Sequence, residues 1–312
     1  MTIRIPASVA ITAGIAISAS AQDPTAPVFR STTNLVMITA TVTASDGQPV
    51  RGLPQDAFTI TEEGIPQTVS VFDTGDVPVS VGLLVDTSGS MSDKLDDVQD
   101  ALRHFVDALR MDDEAFLMEF AQHVRMVAGF DEGRDRVRRA IGLLNANGGT
   151  ALYDGVVKAL EALGRAGNRR RALLLITDGN DTDSATSARR ANDAARRAEA
   201  VVYALGIGHG ERGSFGHFRF RQEDTVDIGA LRRLSDPTGG RSYRLENAHQ
   251  VGLDAIDQAV KEIGTELRQQ YTLGYYPTNT SGKAGFRRIE VRVSEPSFRV
   301  RARSGYWSGG AQ

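Results

Sequence analysis

The sequence predicts an α/β fold: a doubly wound, mostly parallel sheet flanked by helices, inserted in a small antiparallel β-sandwich built from the N- and C-terminal segments. Three observations point there. Short, nearly continuous apolar runs stand at Val79–Val85 (VSVGLLV), Ala172–Thr177 (ALLLIT) and Val201–Ile207 (VVYALGI), as strands buried on both faces require. Segments of helical period separate them, and alternating strands and helices imply a parallel sheet. Towards both ends of the chain the period falls to two, that of half-buried antiparallel strands.

Met1 to Ala21 carries one early charge, Arg4, then a mostly apolar stretch from Val9 to Ala19. It closes on Ala19-Ser20-Ala21, the small-x-small pattern of a signal-peptidase site. The stretch is well short of the roughly 20 residues of a spanning helix, and no Cys follows for lipid attachment. The expectation is cleavage after Ala21 and export, to the periplasm or to the cell surface and medium, with no transmembrane segment left behind. Residues 22–33 read as a flexible lead-in, polar and Pro-rich from Gln22 to Pro27.

Residues 34–78 read as the N-terminal part of the sandwich. Strands are expected at Leu35–Thr43, Phe58–Thr61 and Thr68–Phe72, with turns at Ser45-Asp46-Gly47 and Glu63-Gly64. Residues 79–270 read as the α/β domain. After Val79–Val85 comes a helical stripe of Leu95, Val98, Leu102, Phe105, Val106 and Leu109. Strands at Glu114–Phe120 and Val124–Val127 follow, then helices near Arg134–Leu144 and Tyr153–Leu163. Beyond Ala172–Thr177 a helix is expected over Ala185–Ala198, and beyond Val201–Ile207 a helix at Ile228–Leu234, a strand at Arg241–Leu245 and a helix over Ala248–Arg268. Residues 271–307 return to strands: Tyr271–Tyr276, then Ile289, Val291 and Val293, then Phe298, Val300 and Ala302, in alternation with polar neighbours. They are expected to pair with the N-terminal strands. Residues 308–312 are a tail.

Composition narrows the function. The 312 residues include no Cys, and the formal net charge is −3. Thiolate chemistry and disulfides are excluded, and no basic excess argues for nucleic acid as a partner. The five His residues show no metal spacing, and there is no Gly-x-Ser-x-Gly elbow or phosphate-binding P-loop. Asp178 to Asp183 is calcium-like, but lacks the Gly and Glu of an EF-hand loop; Asp181 and Asp183 read as a solvated helix entry. The run Arg169-Arg170-Arg171 reads as a solvated helix-to-strand connection.

Three loops carry the chemistry: Asp86-Thr87-Ser88-Gly89-Ser90 after the first buried strand, Gly148-Gly149-Thr150 before a helix, and Asp178-Gly179 after the second. In an open α/β sheet, ligands collect beyond the carboxyl ends of the strands. Two carboxylates (Asp86, Asp178) and three hydroxyls (Ser88, Ser90, Thr150) suit one hard dication, Mg²⁺ or else Mn²⁺ or Ca²⁺, that retains water. In Asp-x-Ser-x-Ser alternate residues of one tight loop can face one ion, with Gly89 allowing the turn. The alternative is that Asp86 and Ser90 cap the next helix and Asp178-Gly179 is a plain turn.

These residues resemble the metal-ion-dependent adhesion site of von Willebrand factor type A and integrin inserted domains, and all five positions match. The resemblance covers roughly Val79 to Gln270. It implies that Ser88 and Ser90 bind the metal directly, Thr150 does so in a ligand-competent state, and Asp86 and Asp178 act largely through water. It also implies that a partner protein's Glu or Asp fills the last position. The flanking segments, with Asp46-Gly47, Phe58, Glu63-Gly64, Tyr271–Tyr276 and Val300–Trp307, resemble an exported bacterial "VWFA-related" family known mainly from Acidobacteria.

The leading expectation is therefore an exported, cation-dependent protein-binding module and not an enzyme. A Mg²⁺-dependent phosphoester hydrolase is the enzymatic alternative, although no general base stands near these loops. A structural envelope scaffold with a stabilising metal is the other. The long loop Gly208–Thr225 carries Phe215, Phe218 and Phe220 among Arg residues, a composition favoured at interfaces, and is a candidate partner contact.

Overall fold

The computed structural model describes residues 35–178, 180–208, 226–245, 253–279 and 284–309. The leader Met1–Ala21 and the aromatic-loop residues Phe215, Phe218 and Phe220 lie outside the described residues. In chain order the elements are β1 (Val36–Thr43), β2 (Phe58–Glu62), β3 (Ile65–Gln67), β4 (Val69–Asp73), β5 (Val79–Asp86), α1 (Leu95–Asp107), β6 (Glu114–Phe120), β7 (Val124–Ala128), α2 (Arg134–Ile141) and α3 (Leu152–Leu163). They continue as β8 (Arg170–Thr177), α4 (Ala188–Arg197), β9 (Val201–Ile207), α5 (Ile228–Ser235), β10 (Arg241–Leu245), α6 (Leu253–Arg268), β11 (Tyr271–Tyr275), β12 (Gly285–Val293), β13 (Arg299–Ala302) and β14 (Gly305–Ser308).

A six-stranded sheet runs β10-β9-β8-β5-β6-β7. All its pairings are parallel except that of the edge strand β7. The apolar runs are its centre: every residue of β5 and β9 is buried. In β5 the alternating side chains divide between two cores, as a strand's period of two requires. Val81, Leu83 and Val85 join a cluster with α1, α2 and α6, and Leu84 joins one with α3, α4 and α5. Gly82 between them is forced by packing, because a Cβ there would strike the Phe116 ring.

The outer segments form two antiparallel four-stranded sheets, β13-β1-β11-β4 and β14-β12-β2-β3. Each combines N- and C-terminal strands: β11 lies between β1 and β4, and β12 between β14 and β2. The two share one core of Ile38, Val42, Phe58, Ile60, Tyr271, Leu273, Ile289 and Val291. The expected pairing of the two ends of the chain is therefore present, with the α/β part entering after β4 and leaving before β11.

The two parts are fastened at the carboxyl end of α6. Buried Glu266 accepts hydrogen bonds from the Tyr203 hydroxyl of β9 at 2.5 Å, Arg301 of β13 at 2.5 Å and the Thr41 hydroxyl of β1 at 3.3 Å. A second fastening lies on α4, where Arg197 stacks on the Trp307 ring of β14, 4.1 Å from its centroid. Among the described residues no helix is long and apolar enough to cross a membrane.

Candidate metal centre

Strand order reverses at β5: β6 lies on one side of it, and β8 and the later strands on the other. Adjacent loops leave in opposite directions at such a point and open a crevice beyond the carboxyl ends. Asp86 ends β5, and Asp178 directly follows β8.

Backbone hydrogen bonds draw the loops together. The Thr87 carbonyl accepts from the Asn147 N–H at 2.8 Å, and the Gly89 N–H donates to the Gly148 carbonyl at 3.0 Å. The Thr150 carbonyl accepts from the N–H groups of Thr182 and Asp183 at 2.9 and 3.0 Å. In return the Thr150 N–H points at Thr182 Oγ1 and Asp183 Oδ2, at 2.9 and 3.0 Å. This approach needs glycine at 149, since a Cβ there would overlap the Asp183 carboxylate. The left-handed turn residue is Gly148, at φ 75°. Gly89, credited from the sequence with allowing the turn, has no positive φ and opens a 3-10 turn, Gly89–Met91.

The side chains then find one another. Asp86 is fully buried. Its Oδ1 accepts the Ser88 N–H at 2.8 Å, and its Oδ2 accepts the Thr177 hydroxyl at 2.6 Å. Ser88 Oγ and Ser90 Oγ lie 3.0 Å apart. Burial, reinforced by the negative charge of Asp178, pushes the Asp86 carboxyl up to about 6 despite those hydrogen bonds. Asp178 is itself buried, and its Oδ1 has no hydrogen-bond partner. Neither Ser88 before the 3-10 turn nor Lys94 before α1 makes a side-chain cap. The helix-cap alternative for Asp86 and Ser90 is thus not what the structure adopts.

This donor set fits a hard dication. Among the described residues no cluster of three or more His, Cys, Asp or Glu side chains forms, at this site or elsewhere. Here two carboxylates carry the charge and hydroxyls supply the neutral oxygens, a set suited to an ion that keeps much of its water. An unpartnered Asp178 oxygen and an Asp86 raised by burial and by the charge of Asp178 are the electrostatics of two neighbouring buried carboxylates, which a cation between them would relieve.

Some of the site was not read from the sequence. Thr177 is level with Asp86 in the β5–β8 register, one step beyond the Val85–Ile176 pair; a hydroxyl closing an apolar strand beside an Asp was the available signal. Lys94 is almost fully buried and donates from Nζ to the Ser90 carbonyl at 3.2 Å. Asp181 and Asp183 do not enter their own helix, which Ser187 caps by accepting from the Arg190 N–H. They serve the start of α3, whose N-cap Ala151 has no side-chain oxygen. Ser184 Oγ accepts from the Tyr153 and Asp154 N–H groups at 3.0 and 3.2 Å, and Asp181 orients that hydroxyl.

Residues 81–180 match the sequence family described as a von Willebrand factor type A domain. Inter-alpha-trypsin inhibitor heavy chain H4 of Sus scrofa is 26% identical over 211 residues, 60% of this chain. The chain spans 22% of the length of that relative. Among solved structures, a von Willebrand factor type A protein from Catenulispora acidiphila superposes with a TM-score of 0.50 at 14% identity, covering 89% of this chain and 74% of that one. Proximal thread matrix protein 1 from the mussel byssus, solved with a zinc-occupied MIDAS motif, also gives 0.50 at 16% identity, covering 66% of this chain and 49% of that one. The inserted α/β part is thus similar in sequence to a von Willebrand factor type A domain over residues 81–180, and the structural likenesses speak for its fold.

Proposed function

We propose that this protein is an exported binding module that holds one divalent cation, Mg²⁺ or else Mn²⁺ or Ca²⁺, at Asp86, Ser88, Ser90, Thr150 and Asp178, and through it takes a Glu or Asp carboxylate of a partner protein. The observation that carries the reading is the buried Asp178 Oδ1 without a partner, across from an Asp86 that it helps to push up to about 6. When bound, a hard dication supplies positive charge and an exchangeable coordination position. Ser88 and Ser90 offer hydroxyl oxygens from a loop held by the Asp86–Ser88 hydrogen bond. Thr150 offers a third from a loop fixed on both sides by Thr182 and Asp183. With only two carboxylates in the set, a bound dication would keep enough net positive charge to attract a third from outside.

The zinc-occupied MIDAS motif in the byssus protein's structure and the five matching positions here support this reading. Export rests on the leader pattern closing at Ala19-Ser20-Ala21. The flanking β segments are read as those of the exported bacterial family whose residues they resemble.

The test is paramagnetic. The Mn²⁺-loaded protein is titrated with a short Glu-bearing peptide and with its Gln counterpart, following water-proton relaxivity. Displacement of bound water by the Glu peptide alone, abolished in Ser88→Ala, is the expected result. Equal responses to the two peptides would remove the carboxylate from the account.

A further inference from the structure

At the opposite end of the six-stranded sheet, the first residues of β8 and β9 and the strands β1 and β4 line a cavity of about 680 Å³. That is the size of a small-molecule pocket. Its lining is of two kinds. Met37, Val71, Val77 and Val201 are apolar, and Arg170 and Arg303 bring guanidinium groups, with the more exposed Arg169 and Arg171 at the margin.

Arg170 was expected in solvent as part of an Arg run. Instead it is only 3% exposed, because strand alternation turns it into the junction while Arg169 stays outside. Its terminal nitrogens donate to the Leu267 and Gln270 carbonyls and to Thr272 Oγ1, at 3.2–3.3 Å, and its Nε has no partner. Arg303 donates from Nε to the Gly305 carbonyl at 3.0 Å. No ion pair joins either guanidinium to a described carboxylate. Asp73 and Glu199 also border the cavity but are exposed, and Asp73 Oδ1 is engaged by the Gly75 N–H. Burial lowers the pKa of both arginines, and the neighbouring acids offset it only in part. A largely enclosed cation held by neutral carbonyl and hydroxyl oxygens, its nearest acids exposed, is poorly compensated. An Arg fork is suited to recognising a carboxylate.

We propose that this cavity binds a small organic carboxylate, its charged end at Arg170 and Arg303 and its apolar body against Met37, Val71, Val77 and Val201. The site is independent of the metal centre, which lies at the other end of the same strands, so its test is run in EDTA.

The full chain is titrated with sodium octanoate by calorimetry and by amide chemical shifts. One saturable site is expected, with shifts centred on Val71, Val201 and Thr272. Octanol and acetate should each bind at least about tenfold more weakly, as should octanoate to Arg303→Gln, the loss set by one charge-assisted hydrogen bond. Absence of saturable binding, shifts centred elsewhere, acetate equal to octanoate, or undiminished binding by folded R303Q would each overturn the proposal. Should R303Q fail to fold, the wild-type shift map and the octanol and acetate comparisons decide alone.

Discussion

Asp86→Asn should stabilise the metal-free protein at neutral pH while abolishing its response to metal. The substitution is close to isosteric, and an amide oxygen can still accept the Ser88 N–H that Asp86 Oδ1 accepts now. What changes is charge. Burial and Asp178 hold the Asp86 carboxyl at about 6 against a usual value of 3.8. A raised carboxyl binds its proton more readily in the folded state than in the unfolded one. Stability should therefore fall as pH rises from about 4 to about 6, and the asparagine variant should lack that fall. At ~1.4 kcal/mol per pH unit the interval is worth up to ~3 kcal/mol at pH ~7, less whatever the Thr177 hydrogen bond loses. The assay is urea unfolding of both proteins in EDTA across that range, repeated in saturating Mg²⁺. With metal well above its Kd the order should invert, since a ligand at about 1,000 times its Kd adds ~4.1 kcal/mol to the wild type only. Parallel stability profiles in EDTA, or an asparagine variant less stable at pH ~7 without metal, would refute the reasoning.

Other perturbations follow from the same geometry. Gly149→Ala should force the Asp183 carboxylate away from the Thr150 N–H, lowering stability by ~1–3 kcal/mol, as overpacking does, and weakening Mn²⁺ binding in calorimetry. Asp113 accepts from the Val79 and Arg110 N–H groups at 2.9 and 2.7 Å and pairs with Arg268. Set against the opposing effect of burial, these hold its carboxyl below the usual range. Its stabilisation is thus present above the unfolded-state pKa of ~3.9 and is lost as pH falls through the lower folded value. Asp113→Asn should destabilise the protein at neutral pH by ~1–3 kcal/mol and shallow the acid limb of the unfolding curve. Glu266→Ala leaves Arg301 and Tyr203 without their shared acceptor. It should lower stability by ~3–5 kcal/mol in urea titrations, with metal affinity unchanged if the fold holds.

Those features were unequally legible in the sequence. The apolar strands could be read because burial on both faces leaves almost no room for polar residues, as in β5 and β9. The loops of the metal centre could be read because Asp86 and Asp178 each sit one step past such a run. Pairing of the chain's two ends was readable only as matching periods; the register, Ile38 opposite Leu273 and Ile60 opposite Val291, depends on contacts no local pattern encodes. The same limit hid the role of Asp181–Ser184. Its partner is the α3 terminus some thirty residues earlier, and Ala151 gives no hint of where its cap comes from. Arg170 was misread for a related reason. In a triple-Arg run the residue that turns inward is set by the strand start, and its carbonyl partners lie about a hundred residues away at the end of α6.

The central claim is that Asp86, Ser88, Ser90, Thr150 and Asp178 form one cation site, and titration of Mn²⁺ and Mg²⁺ into the metal-stripped protein tests it most directly. Calorimetry beside Asp178→Ala should show one saturable site in the wild type and none in the variant, with the variant's circular dichroism unchanged. Saturable binding that survives Asp178→Ala, or a folded wild type that takes up neither ion and gains no stability from either, would contradict the account.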